Sequence, residues 1–385
     1  MKIVIAPNAL KGSLTAREAA EAMHRGVLAA CPSARTTLVP VSDGGDGLIL
    51  VLHEALGGEL RTTGVHGPLG EEVRAEWLFV PERGLAVIEM ARASGLVLVP
   101  PERLDPLRAN TLGTGELIRA ALDAGAKTLL LGLGGSATID GGMGMAAALG
   151  IRFLDEKGSE LEPGGKALER VAVLDVSRAD ERLKRVEVVG LRDVSSPLLG
   201  PEGAAAVYGP QKGASPAVVR RIEAGLETLA DLIASTLGVD VRSLDGAGAA
   251  GGLGAGVVAF LGGSLEPGIE VVLELTGCVR EMADADLALT AEGALDEQTA
   301  HGKAPAGVAA LAKRHGVPCL ALAGSVARER RALHEVGITA ALSLCPGPLT
   351  LEEAVAEAAR FLEASTEEAL RLFAAGRDTQ VSRRG

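Results

Sequence analysis

The residues best suited to chemistry in this chain of 385 residues lie in short turns rich in glycine. Only nine of the 38 basic residues are lysines, and three of them, Lys11, Lys212 and Lys303, lie in glycine-containing turns that also carry hydroxyl or carboxamide side chains. A compact ammonium group suits a single phosphate oxygen, whereas arginine favours planar, bidentate pairing. These three lysines are therefore candidates for binding a phosphorylated ligand.

Carboxylates recur in similar settings. Asp43 and Asp46 flank a Gly-Gly turn, Asp193 follows one apolar stretch, and Glu292 and Asp296 follow another. In open α/β sheets, ligands bind beyond the carboxyl ends of the strands. Phosphoryl transfer needs backbone that binds phosphate, cations for the γ-phosphoryl charge, and a carboxylate that orients or deprotonates the accepting hydroxyl. The chain offers all three kinds of group.

The segment 129–149 joins three signals. An apolar run at 129–131 predicts a buried strand, glycines follow at 132, 134 and 135, and a helix is expected from about residue 143. A strand, a glycine-rich turn and a helix N-terminus together can hold an anion, above all a phosphate. We therefore expect Gly134, Gly135, Ser136 and Thr138 to bind phosphate, whereas Asp140 could be a helix cap or a ligand.

Composition and missing motifs exclude several functions. The net charge of −12 and an aromatic fraction of 2% argue against nucleic acid as a partner. The four cysteines have no metal-ligand spacing, and no apolar run approaches the roughly 18 residues of a membrane span. Both G-x-S-x-G and the Walker sequence are absent. We expect a cytoplasmic protein without a membrane partner, which could form a homodimer.

The order of the predicted elements indicates two domains. A β-α-β-α pattern opens the chain, short strands joined by turns follow from about residue 59, and alternating strands and helices return near residue 286. We predict an α/β fold in which an open, parallel, doubly wound domain (1–60 and 280–385) is interrupted by a mixed-sheet α/β domain (61–279). Residues 108–150 could belong to either domain. The glycine-rich segment 245–256 is either a ligand loop or a close helix contact.

Seven motifs, taken in order, resemble those of the type I glycerate kinase family. They are PNALKGS at 7–13, SDGGDG at 42–47, GLGGSATIDGG at 132–142, DVSSPLLG at 193–200, YGPQKG at 208–213, GGLG at 251–254 and AEGALDEQTAHGK at 291–303. The resemblance spans nearly the whole chain. It implies ATP-dependent phosphorylation of D-glycerate with Mg²⁺, on a two-domain α/β fold whose second domain is inserted in the first.

The chain departs from the family pattern at several positions. They are Asn8, Ala9, Arg192, Ser196 and Ala291, where the family usually has Asp, Ser, Cys, Asn and Gly, and Leu10 also replaces the usual Phe. These replacements remove a carboxylate and a hydroxyl from the first turn and a carboxamide from the fourth, and so bear on substrate preference.

The resemblance and the residue chemistry together suggest roles for individual residues. Candidate catalytic residues are Asp193, Lys11 and Asp296; candidate substrate-binding residues are Ser13, Asp43, Asp46, Lys212 and Gln298; candidate nucleotide-binding residues are Gly134, Gly135, Ser136, Thr138 and Lys303; candidate Mg²⁺ ligands are Asp43 and Asp296. We expect glycerate to lie in the cleft between the domains, with its carboxylate near Lys11 and Ser13. Whether the product is 2- or 3-phosphoglycerate stays open at this point.

Two alternatives remain. One is an ATP-dependent kinase of another small hydroxy acid or sugar acid; residues 132–137 faintly echo the phosphate loop of the galactokinase and homoserine kinase superfamily. That superfamily opens with a β-rich domain, however, which differs from the β-α-β-α pattern here. The other is a non-catalytic sugar-acid sensor, which would need no ATP site.

Overall fold

The computed structural model describes residues 1–296, 299 and 302–382. The chain divides into two compact units: a terminal unit of Met1–Asp43 with Ile269–Gly385, and a central unit of Gly44–Gly268. The terminal unit carries a parallel sheet and the central unit a mixed one. This confirms the predicted fold class, an α/β fold with a mixed-sheet domain inserted in a parallel one.

The terminal unit is built on a five-stranded parallel sheet. With elements numbered along the whole chain, its strands are β1 (Lys2–Ile5), β2 (Arg35–Leu38), β11 (Leu287–Leu295), β12 (Cys319–Val326) and β13 (Ile338–Ser343), in the order β13-β12-β11-β1-β2. Its helices are α1 (Ala16–Ala30), α9 (Gly268–Leu275), α10 (Cys278–Met282), α11 (Ala304–Arg314), α12 (Arg331–Val336), α13 (Leu351–Ala356) and α14 (Ala358–Ser382). Pairing of β1 with β11 joins the two ends of the chain.

Local sequence explains how α1 begins and where it packs. The spacing of Thr15 and Glu18 predicts a capping box, and the structure contains it: each side chain accepts a hydrogen bond from the backbone N–H of the other residue. A Cβ atom on Gly26 would lie 2.3 Å from the carbonyl oxygen of Glu363, so glycine lets α1 approach α14 closely.

The central unit is built on a six-stranded sheet. Its strands are β3 (Glu59–His66), β4 (Glu72–Val80), β5 (Leu85–Glu89), β6 (Thr128–Gly132), β9 (Glu187–Arg192) and β10 (Ser264–Pro267), in the order β10-β9-β6-β5-β4-β3; β7 (Arg152–Leu154) and β8 (Val173–Asp175) form a separate antiparallel pair. Strands β10, β9, β6 and β5 are parallel to one another. Strand β4 pairs antiparallel with β5 on one side and with β3 on the other. Because β6 lies between β5 and β9, the strand of segment 108–150 belongs to this sheet.

The central unit also contains helices. They are α2 (Leu48–Leu56), α3 (Ala91–Ser94), α4 (Leu112–Asp123), α5 (Met143–Ala148), α6 (Ala204–Tyr208), α7 (Pro216–Leu237) and α8 (Ala249–Leu261). Short 3₁₀ helices cover Pro81–Arg83, Leu96–Leu98, Pro101–Arg103, Ala167–Glu169, Glu181–Lys184 and Pro210–Lys212. Within the described ranges, none of the helices combines the length and apolar character needed to cross a membrane.

Some elements differ from the sequence-based expectations. The apolar run at 286–290 predicts a strand that ends near residue 290, but β11 continues to Leu295, because β12 pairs with it as far as Leu295 and Val326. The sequence does not predict strands β7 and β10. It predicts a single helix over 351–375, and the structure has two helices that meet at Glu357. Contacts divide the chain after Asp43 and Gly268, rather than after residues 60 and 279, since α2 packs on β4 and β5.

Candidate active site

Three parallel strands of the terminal unit end at one edge of its sheet, and they bring polar side chains together there. Beyond the end of β1, the Asn8 N–H donates to the carbonyl oxygen of Ala291 on β11 (2.9 Å), and the Val41 N–H beyond β2 donates to Pro7 (3.0 Å). These bonds hold the chain segments after β1 and β2 beside β11. We call Asn8, Asp43, Glu292, Asp296 and Lys303, which lie at this edge, the carboxylate cluster.

Glu292 is an acid of the carboxylate cluster whose pKa is strongly raised. Burial, together with the charges of Asp43 and Asp296, raises its pKa to about 7, against the opposing effects of Lys303 and a hydrogen bond from Asn8. Its Oε2 atom is buried without a hydrogen-bond partner in the described part of the chain. The Asn8 amide also lies 3.5 Å from Asp43 Oδ2. A carboxyl group with a raised pKa and an unsatisfied buried oxygen is typical of a ligand or cation site.

Asp296 and Lys303 form the other side of the cluster. Oδ1 of Asp296 accepts hydrogen bonds from the Thr299 N–H (3.0 Å) and hydroxyl (3.2 Å). The Lys303 ammonium lies 3.6 Å from the same oxygen, and Lys303 is the N-cap of α11. The structure thus brings Asp43, Asp296 and Lys303 together at this edge, and their roles toward substrate, metal and nucleotide stay predictions. Gln298 lies outside the described residues.

Lys11 and Ser13 lie in a tight turn of the terminal unit between β1 and α1. The turn is closed by reciprocal backbone hydrogen bonds between Leu10 and Leu14 (2.9 and 3.0 Å), and Gly12 adopts a left-handed φ of 76°. The Lys11 side chain is exposed, and the Ser13 hydroxyl donates to the carbonyl oxygen of Val355 on α13 (3.4 Å). The Lys11 side chain is thus accessible from solvent, whereas the Ser13 hydroxyl is bonded to α13.

In the central unit, two glycine-rich turns pack directly on each other. We call residues 132–142, between β6 and α5, the central turn. A Cβ atom on Gly132 would lie 2.4 Å from the Gly44 carbonyl oxygen, and one on Gly134 would lie 2.7 Å from the Gly45 Cα. On Gly135, it would lie 3.4 Å from an oxygen of Asp46. Gly132 and Gly134 therefore allow the central turn to pack against the turn at Gly44 and Gly45. The sequence predicts instead that Gly134 faces a phosphate.

Asp140 occupies the place where the sequence suggested an anion could bind. Its buried carboxylate accepts hydrogen bonds from the N–H groups of Gly142 (3.1 Å) and Gly144 (3.0 Å) at the start of α5. It also accepts from the N–H (2.8 Å) and hydroxyl (2.9 Å) of Thr111. Burial raises the pKa of Asp140, and these bonds oppose that effect. Of the two roles left open, the structure gives Asp140 that of a cap.

The buried Lys212 side chain holds the central turn in place through two hydrogen bonds. It is only 2% exposed, and its ammonium group donates to Ser136 Oγ (2.7 Å) and to the Thr138 carbonyl oxygen (2.8 Å). Burial lowers its pKa to about 7, against the opposing charge of Asp140. The Thr138 hydroxyl is buried without a partner in the described residues. Lys212 was expected to contact substrate, yet its two hydrogen bonds go to the turn.

Asp193 lies directly after β9, whose carboxyl end is beside that of β6. Burial raises the pKa of Tyr208, and the negative charge of Asp193 raises it further. The Tyr208 hydroxyl lies 2.9 Å from the Ser196 hydroxyl, and its ring lies 5.9 Å from the Lys212 ammonium. Asp193 thus lies close enough to Tyr208 to act on it electrostatically.

The glycine-rich segment 245–256 is a close contact within the protein. A Cβ atom on Gly251 would lie 1.9 Å from the Thr138 carbonyl oxygen, and one on Gly256 would lie 2.9 Å from that of Gly141. The start of α8 therefore packs on the central turn, and the helix-contact reading of this segment is correct. Ala250 adopts a positive φ of 52° in the same place, which is unusual for a residue with a side chain.

Two acids, the half-buried Glu292 and the buried Glu89, have no role assigned from the sequence. Glu292 was named among the carboxylates but not assigned, and Glu89 at the end of β5 was missed. Glu89 is 3% exposed, accepts a hydrogen bond from the Ile49 N–H (2.9 Å) and pairs with Arg92 (2.9 Å). The available signal for Glu89 was a charged residue directly after the apolar run at 85–88. Among the described residues, no group of three or more His, Cys, Asp or Glu has metal-binding geometry.

A parallel α/β sheet with carboxylates and lysine at its carboxyl edge is typical of phosphotransferases that act on small molecules. Residues 3–374 match the glycerate kinase family. The chain is 48% identical over 363 residues to a glycerate kinase of Bacillus subtilis, covering 94% of this chain and 95% of that one. It is 44% identical over 354 residues to the glycerate 2-kinase of Escherichia coli, covering 92% and 93%.

A solved structure agrees with these sequence matches. A crystal structure from Salmonella typhimurium LT2, provisionally assigned as glycerate kinase 2, matches with a TM-score of 0.85 and 44% identity over 98% of this chain and 99% of that one. The chain belongs to the glycerate kinase family. It is an enzyme of that type, a kinase that phosphorylates glycerate.

Proposed function

We propose that this kinase transfers the γ-phosphoryl group of ATP to the 2-hydroxyl of D-glycerate, with Mg²⁺ as the metal ion. The observation that carries the proposal is the carboxylate cluster, in which acids and a lysine surround a buried oxygen of Glu292 that has no partner in the described residues. The choice of hydroxyl is supported by the 44% identical relative from Escherichia coli, which is a glycerate 2-kinase.

The residues of the carboxylate cluster fit Mg²⁺ by their chemistry. This ion takes one or two carboxylates and fills its remaining positions with phosphate oxygens and water, so a cage of three protein ligands is not required. Like charges on Asp43, Glu292 and Asp296 would be relieved by a cation, and the Oε2 atom of Glu292 lacks one hydrogen-bond donor. Asp43 and Asp296 would hold the ion. When bound, it would offset negative charge on the phosphoryl oxygens.

The remaining groups of the terminal unit would bind anions. Lys303, which starts α11, would bind nucleotide phosphates, and Lys11, on its exposed turn, would attract the charge of the transferred group or of the glycerate carboxylate. The Ser13 backbone lies in the same turn and would help to bind the same anion. Gln298 stays a prediction for substrate binding.

In the central unit, we assign the base to Asp193. A carboxylate directly after a parallel strand is well placed to orient or deprotonate the hydroxyl that attacks phosphorus. The central turn, through Ser136, Thr138 and the backbone near Gly135, would bind anionic oxygens, and Asp46 beside Gly135 would contact substrate hydroxyls. Lys212 is buried behind the turn, and we propose that it acts through Ser136.

The experiment is a turnover assay with ATP, Mg²⁺ and D-glycerate. Release of ADP would measure the rate, and ³¹P NMR of the product would separate 2- from 3-phosphoglycerate. Formation of 2-phosphoglycerate supports the proposal, and 3-phosphoglycerate would contradict the choice of hydroxyl. If D-glycerate is not turned over while ATP still binds, a panel of other hydroxy acids and sugar acids tests the alternative acceptor.

A further inference from the structure

The hydrogen bond between Lys212 and Ser136 has a direction that follows from chemistry. The Lys212 ammonium lies 2.7 Å from Ser136 Oγ. A protonated lysine carries three hydrogens and no lone pair, so it can only donate, and the serine oxygen must accept. The hydrogen of the Ser136 hydroxyl is therefore directed away from Lys212.

No described residue accepts that hydrogen. Among the described residues, the Ser136 side chain has one hydrogen bond, and Lys212 donates it. Ser136 is only 6% exposed, so bulk water does not replace a partner fully. Two positions along the same turn, the buried hydroxyl of Thr138 also lacks a partner. A nearly buried donor with a cation behind it is suited to an anionic oxygen.

We infer that Lys212 is a positioning residue, which turns the Ser136 hydroxyl so that it donates to an anionic oxygen of the bound ligand. The identity of that ligand, ATP or glycerate, depends on the proposed function. A phosphate oxygen of ATP and the carboxylate oxygen of glycerate share the required chemistry. Lys212 itself touches neither ligand, because its side chain is enclosed behind the turn.

The protonation state of Lys212 decides the direction of the bond. Burial lowers the pKa of this lysine to about 7. The groups that face it are Asp140 on the central turn, whose charge raises that pKa, and Tyr208 on α6, whose own pKa is raised by burial and by Asp193. A neutral amine has a lone pair that can accept the Ser136 hydrogen. As pH rises and Lys212 loses its proton, we expect the hydroxyl to turn toward the amine and its bond to the ligand to weaken.

The test compares wild-type protein with Ser136→Ala by calorimetric titration between about pH 6 and pH 8.5. ATP with Mg²⁺ and D-glycerate are titrated separately. For one of them, the variant should bind about tenfold more weakly at pH 6, and the ratio of the two dissociation constants should approach one at pH 8.5. Taking the ratio removes the titration of the ligand itself. The ligand that shows the effect is the one that Ser136 contacts.

A variant of the lysine provides an independent measurement. Lys212→Arg keeps a permanent positive charge, so the part of the pH dependence that comes from Lys212 should be lost, and the dissociation constant of wild type divided by that of Lys212→Arg should rise with pH. Circular dichroism checks its fold; if this variant is unfolded, the Ser136→Ala series decides alone, because that change removes only one oxygen. A pH-independent loss of affinity in Ser136→Ala, or no loss for either ligand, would overturn the inference.

The outcome is separable from that of the proposed function. Wild-type turnover of glycerate alongside an unchanged Ser136→Ala affinity contradicts only the role of Ser136 and Lys212. Absence of wild-type turnover contradicts the proposed function, whatever the variant does.

Discussion

The central turn and the carboxylate cluster each follow parallel strands, yet the buried Asp140 of the turn and the half-buried Glu292 of the cluster are satisfied in opposite ways. Asp140 in the turn accepts four hydrogen bonds, from Thr111, Gly142 and Gly144. Glu292 in the cluster is faced by the charges of Asp43 and Asp296 and keeps an oxygen without a partner in the described residues. A buried acid surrounded by donors fixes a conformation, whereas one surrounded by like charge stores unfavourable energy that a bound cation relieves.

The largest expected effect is the loss of the Asp140 carboxylate. Asp140→Ala leaves the buried N–H groups of Thr111, Gly142 and Gly144 without an acceptor, which should lower the free energy of unfolding by about 4 kcal/mol. Urea denaturation measures the change. Asp240→Ala, an exposed aspartate of the same unit, is the control and should hardly move the midpoint. Equal midpoints for both variants would show that Asp140 is not the structural acid of this pair.

Asp193→Asn tests the assignment of the base. The carboxamide keeps the shape of the side chain but cannot take a proton, so kcat should fall by about 100-fold. Steady-state kinetics with D-glycerate measure this, and an unchanged urea midpoint would show that the fold is intact. Full kcat in a folded Asp193→Asn protein would remove Asp193 from the chemistry.

Glu292→Gln tests the stored energy of the carboxylate cluster. Because the folded pKa of about 7 lies above the usual 4.5, the folded state binds this proton more tightly, and the glutamate destabilises the fold as pH rises from 4.5 through 7. Without Mg²⁺, Glu292→Gln should therefore be more stable than wild type at pH 8, by about 2 kcal/mol, and similar to it near pH 4.5. Urea denaturation at both pH values measures the difference.

The contrary result for Glu292→Gln is also informative. A variant that is less stable than wild type at pH 8 would mean that Glu292 is a satisfied structural acid, like Asp140. The comparison between the two regions would then fail at the cluster.

Local patterns in the sequence were sufficient for much of the fold and for part of the site. The Thr15 capping box and the bounds of α2 depend on neighbouring residues, and both were predictable. The burial of Glu292 was not, because β11 continues past residue 290 only through its pairing with β12. The position of Lys212 was not predictable either, since its partners Ser136 and Thr138 lie more than 70 residues away in the chain.

Glycine has the same dependence on distant partners, and Gly134 gives the smallest expected effect. Its φ is not left-handed, so alanine is allowed by the backbone, but the new Cβ would lie 2.7 Å from the Cα of Gly45. Gly134→Ala should therefore lower the free energy of unfolding by about 1–2 kcal/mol. Gly293→Ala on β11 is the matched control, because its Cβ would lie 3.6 Å from the nearest neighbouring atom. Urea denaturation of both variants makes the comparison. A Gly134→Ala protein as stable as Gly293→Ala would mean that the two glycine-rich turns are loosely packed, and the central turn would then be free to move with its ligand.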